Sequence, residues 1–350
     1  MEQLHNTPLI SVCIPVFETE SYLTKCLRSV YTQNFDSFEI VVVSDASRGV
    51  DDKKRTAKKI VKDAQKESNI WRKKNGFLPI QIRYIEHREN RGLIEVRRTL
   101  MYESRAFYLT QVDSDDQMEA GALSSLWKAS KYFIHDTNLQ YFDIVHGTST
   151  AGIFDENNNF ISAKENKYGK IFYGTLEGHE VFSHWILKGD FTANTWGKLI
   201  KRELWQKAYE NIPYTECNMA DDVLLFFFIA QYARSYIGIE NKVYRYRVNT
   251  GMTSVRKIDS IHKWKMIAQT ASVFTVISSW INEHPDALLP KEVESVKVKT
   301  RFYLQNNLLQ LREAVVPELQ EEARSLLCEY WGESFVCHIE EFMDNKASKC

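Results

Sequence analysis

Over the first part of the chain, short and almost unbroken apolar runs alternate with stretches whose apolar residues recur every three or four positions, which predicts strands and helices in turn. Residues 9–17, Leu-Ile-Ser-Val-Cys-Ile-Pro-Val-Phe, are too few for a helix, lie between Pro8 and Glu18, and read as a strand buried on both faces. Residues 21–31 place Leu23, Leu27 and Val30 at helical spacing, and Phe38–Ser44 is a second buried strand that stops at Asp45. Strand, helix, strand predicts a right-handed parallel unit whose ligands gather beyond the carboxyl ends of its strands. Between 49 and 74, Lys, Arg and Asp crowd around Ala57, Ile60, Val61 and Ala64, which favours a solvated helix face over a phosphate-binding patch. A half-exposed strand is expected over 80–85, and Gly92 supplies a positive-φ turn into a helix over Leu93–Glu103. Residues 108–112 form another buried strand, 120–133 return to the helical period, and 141–146 read as a fifth strand. Residues 150–178, rich in Asn, Gly and Lys, read as a β-ribbon or a loop. After about Lys257 only helical periods remain, over 264–280, 291–314 and 317–331. The pattern predicts an α/β fold with a mostly parallel sheet flanked by helices and a helical C-terminal extension. The expected boundary separates residues 1–256 from 257–350.

Composition narrows the partners. Across 350 residues the formal net charge is −1, which removes the global case for nucleic acid or a strongly anionic surface. The six cysteines show no metal-ligand spacing, and a reduced cytosolic compartment is the economical inference. No charged segment leads into an apolar stretch at the N-terminus, and no run of ~18 apolar residues occurs. The expected location is cytoplasmic, or peripheral at the inner face of a membrane.

Candidate chemistry concentrates where the 108–112 strand ends in Asp113-Ser114-Asp115-Asp116. Close carboxylates repel, at about 1 kcal/mol per pair near a surface, and tolerate each other best around a hard divalent cation. Mg²⁺ or Mn²⁺ held by one or two carboxylates and the phosphates of a nucleotide diphosphate fits this stretch; a solvated loop capping the next helix fits these residues equally well.

Six segments together carry a resemblance. Ile14-Pro-Val-Phe-Glu18, Val41-Val-Val-Ser-Asp-Ala-Ser47, Asn90-Arg-Gly-Leu-Ile-Glu-Val-Arg-Arg98, Val112-Asp-Ser-Asp-Asp116, Asn194-Thr-Trp-Gly-Lys-Leu-Ile-Lys-Arg-Glu-Leu204 and Ala220-Asp-Asp-Val-Leu-Leu-Phe226 resemble, in order, the motifs of family 2 glycosyltransferases with the GT-A fold. The resemblance spans roughly residues 8–255 and implies a GT-A, Rossmann-like sheet with a nucleotide-sugar half over about 8–118 and an acceptor half over about 119–256.

The resemblance implies an inverting transfer from a nucleotide-diphospho-sugar, more often uridine-linked, to a hydroxyl of a glycan, lipid-linked saccharide or protein glycan. It assigns Pro15, Phe17, Glu18, Asp45, Arg97, Asp113 and Ser114 to the nucleotide, with Phe17 offering a flat face to the base and Asp45 accepting a base N–H. Asp115, with Asp113, implies Mn²⁺ or Mg²⁺ ligation, Arg97 neutralises phosphate or orients Asp113, and one of Arg97 and Arg98 is expected at the surface. Asp116 is expected to cap the following helix. Asp222 matches the general base, and Asp221, Trp196 and Lys198 fall on the acceptor side. Glu18 stands where the family has Asn, and Ser44 where it has Asp. Some relatives place a metal-binding His later in the chain; none lies between His184 and His262 here, which leaves Arg245, Arg247, Thr253 or Ser254 to meet phosphate.

In the extension, Lys263, Trp264, Lys265, Arg301, Phe302 and Tyr303 suit packing on the catalytic domain, with a membrane surface or a second subunit as alternatives. Two other functional classes compete: a sugar-phosphate nucleotidyltransferase, which would need a Gly-rich basic loop after the first strand that is missing here, and a non-catalytic sugar-nucleotide or glycan-binding module, which would have lost carboxylates that are all present.

Overall fold

The computed structural model describes residues 7–134, 138–155, 159–165, 169–248 and 257–347. In chain order the first half contains β1 (Ile10–Val16), α1 (Glu20–Tyr31), β2 (Phe38–Ser44), α2 (Ala57–Lys74), β3 (Ile82–Glu86), α3 (Leu93–Glu103), β4 (Tyr108–Gln111), β5 (Gln117–Met118) and α4 (Ala122–Ala129). There follow β6 (Lys131–Ile134), β7 (Asn138–Tyr141), β8 (Ile144–Phe154), β9 (Phe160–Glu165), β10 (Gly174–Glu177), α5 (Glu180–Ser183), β11 (Lys198–Lys201), α6 (Arg202–Asn211), α7 (Asp221–Tyr232) and β12 (Ser235–Arg247). The remainder is helical: α8 (Ile261–Ala268), α9 (Thr270–Glu283), α10 (Pro290–Glu313), α11 (Gln320–Trp331) and α12 (Glu333–Ala347).

Every residue of β1 and β2 is buried, as their unbroken apolar runs require. The main sheet runs β10-β12-β8-β11-β4-β1-β2-β3, with β5 on β12 and β9 on β8. β3, β2, β1 and β4 are mutually parallel, joined by α1, α2 and α3, while β11 enters antiparallel between β4 and β8. The chain adds β2 and β3 on one side of β1 and β4 on the other, so the order reverses between β1 and β4. That switch point, beyond the strands' carboxyl ends, is where open α/β sheets receive ligands.

Helices cover the sheet for the reason their spacing gave. α1 turns Leu23, Cys26, Leu27, Val30 and Tyr31 inward, and α2 turns Ala57, Ile60, Val61 and Ala64 inward with its lysines out. The basic surface of α2 hides one exception: Arg72 is fully buried and donates to the carbonyls of Leu78, Tyr31, Gln33 and Phe35 and to Asp36, with burial holding its guanidinium below the usual arginine range.

Two boundaries differ from expectation. The helix expected over 120–133 stops at Ala129, and Lys131–Ile134 instead pairs with Asn138–Tyr141 as a two-stranded ribbon. The fifth strand begins at Ile144 rather than 141 and runs to Phe154, because β12 and β9 both pair with it; the ribbon reading of the 150–178 stretch holds for β8–β9.

The chain divides into two compact units, residues 1–211 with 225–250, and residues 212–224 with 251–350. The expected boundary at 256/257 lies beside 249–256, outside the described residues. The second unit has its own core, including Trp264, Leu304, Leu308, Leu327 and Ile339. Trp264 is fully buried in this core and donates its indole N–H to the Ala323 carbonyl, whereas Phe302 is exposed.

Candidate active site

Loops after β1 and β2 are laced together at the switch point. Pro15 lies inside β1, opposite Val43 and past the last β1–β4 pair, Cys13 with Gln111, so its missing N–H costs no bond to β4. Phe17 is 47% exposed just beyond the strand. Glu18 takes φ +54°; its N–H donates to Ser47 Oγ at 2.8 Å and its Oε1 accepts from the Arg48 N–H at 3.0 Å. Ser47 Oγ donates in turn to Glu20 Oε1 at 2.6 Å. Ala46 is also left-handed at φ +54°. Such residues cost about 1–3 kcal/mol each and persist where surrounding contacts over-determine them.

Asp45 directly follows β2 and is buried. Its Oδ1 accepts from His87 Nδ1 at 2.7 Å and the Arg91 N–H at 2.9 Å, and its Oδ2 from the Gly92 N–H at 2.9 Å. Gly92, at φ +83°, opens α3 as expected. Three of the roughly four acceptor positions of a carboxylate are therefore filled from within the protein.

At the end of β4 the four polar residues diverge. Asp113 and Asp115 are half-buried, while Ser114 turns inward to Thr19 (Oγ–Oγ1 2.6 Å). Asp116 is not a helix cap. It is buried, its Oδ2 accepts from Tyr244 OH at 2.7 Å, and its Oδ1 accepts from the Arg247 N–H at 2.6 Å, so it fastens the end of β12 beneath the motif. Burial first, then the charges of Asp115 and Asp113, push its carboxyl well above the usual range, against the two donated hydrogen bonds. Tyr244 OH also accepts from the Asp113 N–H at 3.1 Å, and burial with the charges of Asp116 and Asp113 keeps the phenol protonated as a donor. Tyr244→Phe should leave Asp116 Oδ2 buried without its donor and destabilise the fold by about 1–3 kcal/mol. Urea denaturation measures it, and unchanged stability would show that Asp116 does not depend on this phenol.

Arginines frame the motif. Arg97 is buried, its Nη1 donates to Thr195 Oγ1 at 2.7 Å, and its Nη2 lies 3.9 Å from Asp113 Oδ1. Arg98 is not a surface residue either: it donates to Glu95 and to the Tyr209 carbonyl and lies over the Tyr209 ring. Arg247 donates Nε to the Asp115 carbonyl at 3.0 Å, with its guanidinium 3.7 Å from the Phe154 ring and 4.7 Å from that of Tyr22. Arg245 pairs with Glu119. Thr253 and Ser254 lie outside the described residues.

Two residues expected on the acceptor side are structural in their contacts. Trp196 is 8% exposed and stacks on Tyr244 (4.7 Å) and Tyr246 (5.7 Å), which backs the tyrosine that holds Asp116. Lys198 is fully buried; its ammonium donates to the Thr192 and Asn194 carbonyls and sits over Phe226, so it secures a turn rather than lining an open face.

The acidic pair at the start of α7 follows Ala220, again left-handed at φ +59°. Asp221 is buried and Asp222 half-buried, with Asp222 Oδ1 accepting from the Val223 N–H at 2.9 Å. The helix beyond is apolar all round and buried through Ala230. Tyr303 of α10 lies in the field of this pair: burial, then Asp222, Asp221 and Cys217, push its phenol up.

The donor chemistry at β4 suits a hard divalent ion. Among the described residues no cluster of three or more His, Cys, Asp or Glu is arranged to hold a metal unaided, so Asp113 and Asp115 would share it with substrate phosphates, the usual manner for Mg²⁺.

A profile for Glycosyl transferase family 2 matches residues 11–187. The chain is 27% identical over 245 residues to glycosyltransferase GlyA of Streptococcus pneumoniae, covering 70% of this chain and 31% of GlyA. It is 28% identical over 130 residues to the GalNAc(5)-diNAcBac-PP-undecaprenol beta-1,3-glucosyltransferase of Campylobacter jejuni, covering 37% of each. The chain thus spans about a third of each of these curated relatives. Among solved structures, S. aureus TarS 1–349 in complex with UDP-GlcNAc is similar in fold, with a TM-score of 0.50 at 16% identity over 96% of this chain and 92% of that one.

Proposed function

The chain belongs to glycosyl transferase family 2, and on that footing we propose that it transfers a sugar from a uridine-linked nucleotide diphosphate to an acceptor hydroxyl by single displacement with inversion. The observation that carries this reading is that, beside the β1/β4 switch point, the loop bearing exposed Phe17 and Glu18 is joined through the Thr19–Ser114 hydrogen bond to the loop bearing half-buried Asp113 and Asp115. Phe17 offers its ring to the base, and Asp45 offers its remaining acceptor position to a base N–H. Ser114, turned to Thr19, acts by shaping the loop.

Asp113 and Asp115 would hold Mn²⁺ or Mg²⁺. A divalent cation bound there supplies Lewis-acid stabilisation of the departing diphosphate. Arg97 steadies Asp113 from the side of Thr195, and Arg247 places a permanent positive charge beside the motif, where phosphate oxygens gain charge as the sugar leaves. Asp222 takes the proton of the acceptor hydroxyl as it attacks, with Asp221 beside it on the acceptor side. No covalent intermediate is required.

The acceptor class is a saccharide or glycoconjugate, and the undecaprenol-linked substrate in the name of the C. jejuni relative favours a lipid-linked one, met by peripheral contact at the inner membrane face. No helix among the described residues is long and apolar enough to cross a membrane. A panel of sugar nucleotides incubated with Mn²⁺ tests the reading. Release of uridine diphosphate from at least one uridine-linked sugar, suppressed by chelation, is expected. Pyrophosphate release from a nucleoside triphosphate and a sugar phosphate would replace it with nucleotidyl transfer.

A further inference from the structure

We infer that His87 is a positioning residue for base selection, acting through Asp45; the inference rests on the proposed role of Asp45 in meeting the base. His87 follows β3, and its side chain is 6% exposed. Its Nδ1 donates to Asp45 Oδ1 at 2.7 Å, and its Nε2 lies 2.9 Å from Oγ1 of Thr99 on α3. Thr99 Oγ1 also lies 3.1 Å from the Glu95 carbonyl, so its one hydroxyl proton is placed between that carbonyl and Nε2. The imidazole is therefore pinned at both edges, between the end of β2 and the second turn of α3.

The consequence lies in which lone pairs of Asp45 remain. Oδ1 is filled by His87 and the Arg91 N–H, and Oδ2 holds the Gly92 N–H with one position left. A single acceptor at a fixed angle selects a ring that offers a single N–H there. Uracil presents an imide N–H. Cytosine presents a bare ring nitrogen at the same place, whose lone pair faces the carboxylate's and leaves both unpaired. Without the His87 donor the carboxylate turns about its Cβ–Cγ bond, the vacancy is no longer confined to Oδ2, and the distinction between the two rings weakens. His87 thus fixes the direction of the reading group without touching the base.

Calorimetric titration of uridine diphosphate and cytidine diphosphate in Mn²⁺ buffer, on the full chain and on His87→Asn, His87→Gln and Asp45→Asn, tests this. Asn carries its amide N–H near the place of Nδ1, and Gln near that of Nε2. His87→Gln should lose about tenfold of the preference for uridine over cytidine, the worth of one charge-assisted hydrogen bond, while His87→Asn keeps most of it. Equal weakening of both nucleotides in both variants would make His87 structural only and overturn the inference. A preference changed by Asp45→Asn but not by His87→Gln would also overturn it. A preference unchanged by Asp45→Asn would remove Asp45 from the base, and the separate proposal about Asp45 would fall first. If His87→Gln fails to fold, Thr99→Val frees the far edge of the ring and should show the same selective loss.

Discussion

Asp115→Asn is expected to cut donor hydrolysis and sugar transfer by roughly 10²-fold or more, because Lewis-acid stabilisation worth several kcal/mol depends on a ligand charge that the amide lacks, and each 1.36 kcal/mol is a factor of about ten. The fold should survive. The Asp115 backbone carbonyl, which accepts from Arg247 Nε, is retained by Asn. Asp116, whose side chain fastens Tyr244 and Arg247, is untouched. Turnover of a uridine-linked donor across a Mn²⁺ titration, with melting temperature on the same preparations, provides the check. Parental turnover at saturating metal would remove Asp115 from the metal site.

Asp222→Asn should lower transfer by roughly 10²–10⁴-fold, the worth of a positioned general base, while donor affinity and stability stay close to parental. The hydrogen bond from the Val223 N–H to Oδ1 is available to Asn as well. If Asp222 merely served the start of α7, Asn would be among the best replacements and neither rate nor stability would move. Single-turnover transfer separates the two readings. Near-parental transfer would shift attention to Asp221, whose burial beside Ala220 gives it less freedom to meet a hydroxyl.

What was legible in the sequence was what depends on burial and local period. β1 and β2 are buried along their whole length, so their apolar runs left no other reading, and α1 shows its inward row at the spacing of the sequence. Gly92 stands at positive φ where the turn required it. Contacts made across long separations were not legible. Asp116 looked like a helix cap by its neighbours, yet its partners Tyr244 and Arg247 lie 128 and 131 residues away, and a buried carboxyl with two strong donors outweighs a local capping preference. The helical spacing over 120–133 outlasted the helix because the Lys131–Ile134 strand is stabilised by pairing with Asn138–Tyr141, which no local period encodes. Lys198 carried a motif resemblance but lies in a buried strand, where its ammonium must find carbonyls. His87 gave no signal, since its importance comes from the meeting of β2, β3 and α3 at Asp45. Tyr244 could have been sought as an aromatic on a strand returning to the acidic motif, though nothing in its own neighbours pointed to Asp116.

The central claim is that the ends of β1, β2 and β4 hold a nucleotide diphosphate together with a divalent cation. Calorimetric titration of uridine diphosphate into the protein, first with Mn²⁺ and then with excess chelator, tests it most directly. Saturable one-to-one binding that weakens at least about tenfold when the metal is withdrawn is expected, in line with a cation shared between Asp113, Asp115 and the phosphates. Binding of equal strength with and without the metal, or no binding under either condition, would contradict it.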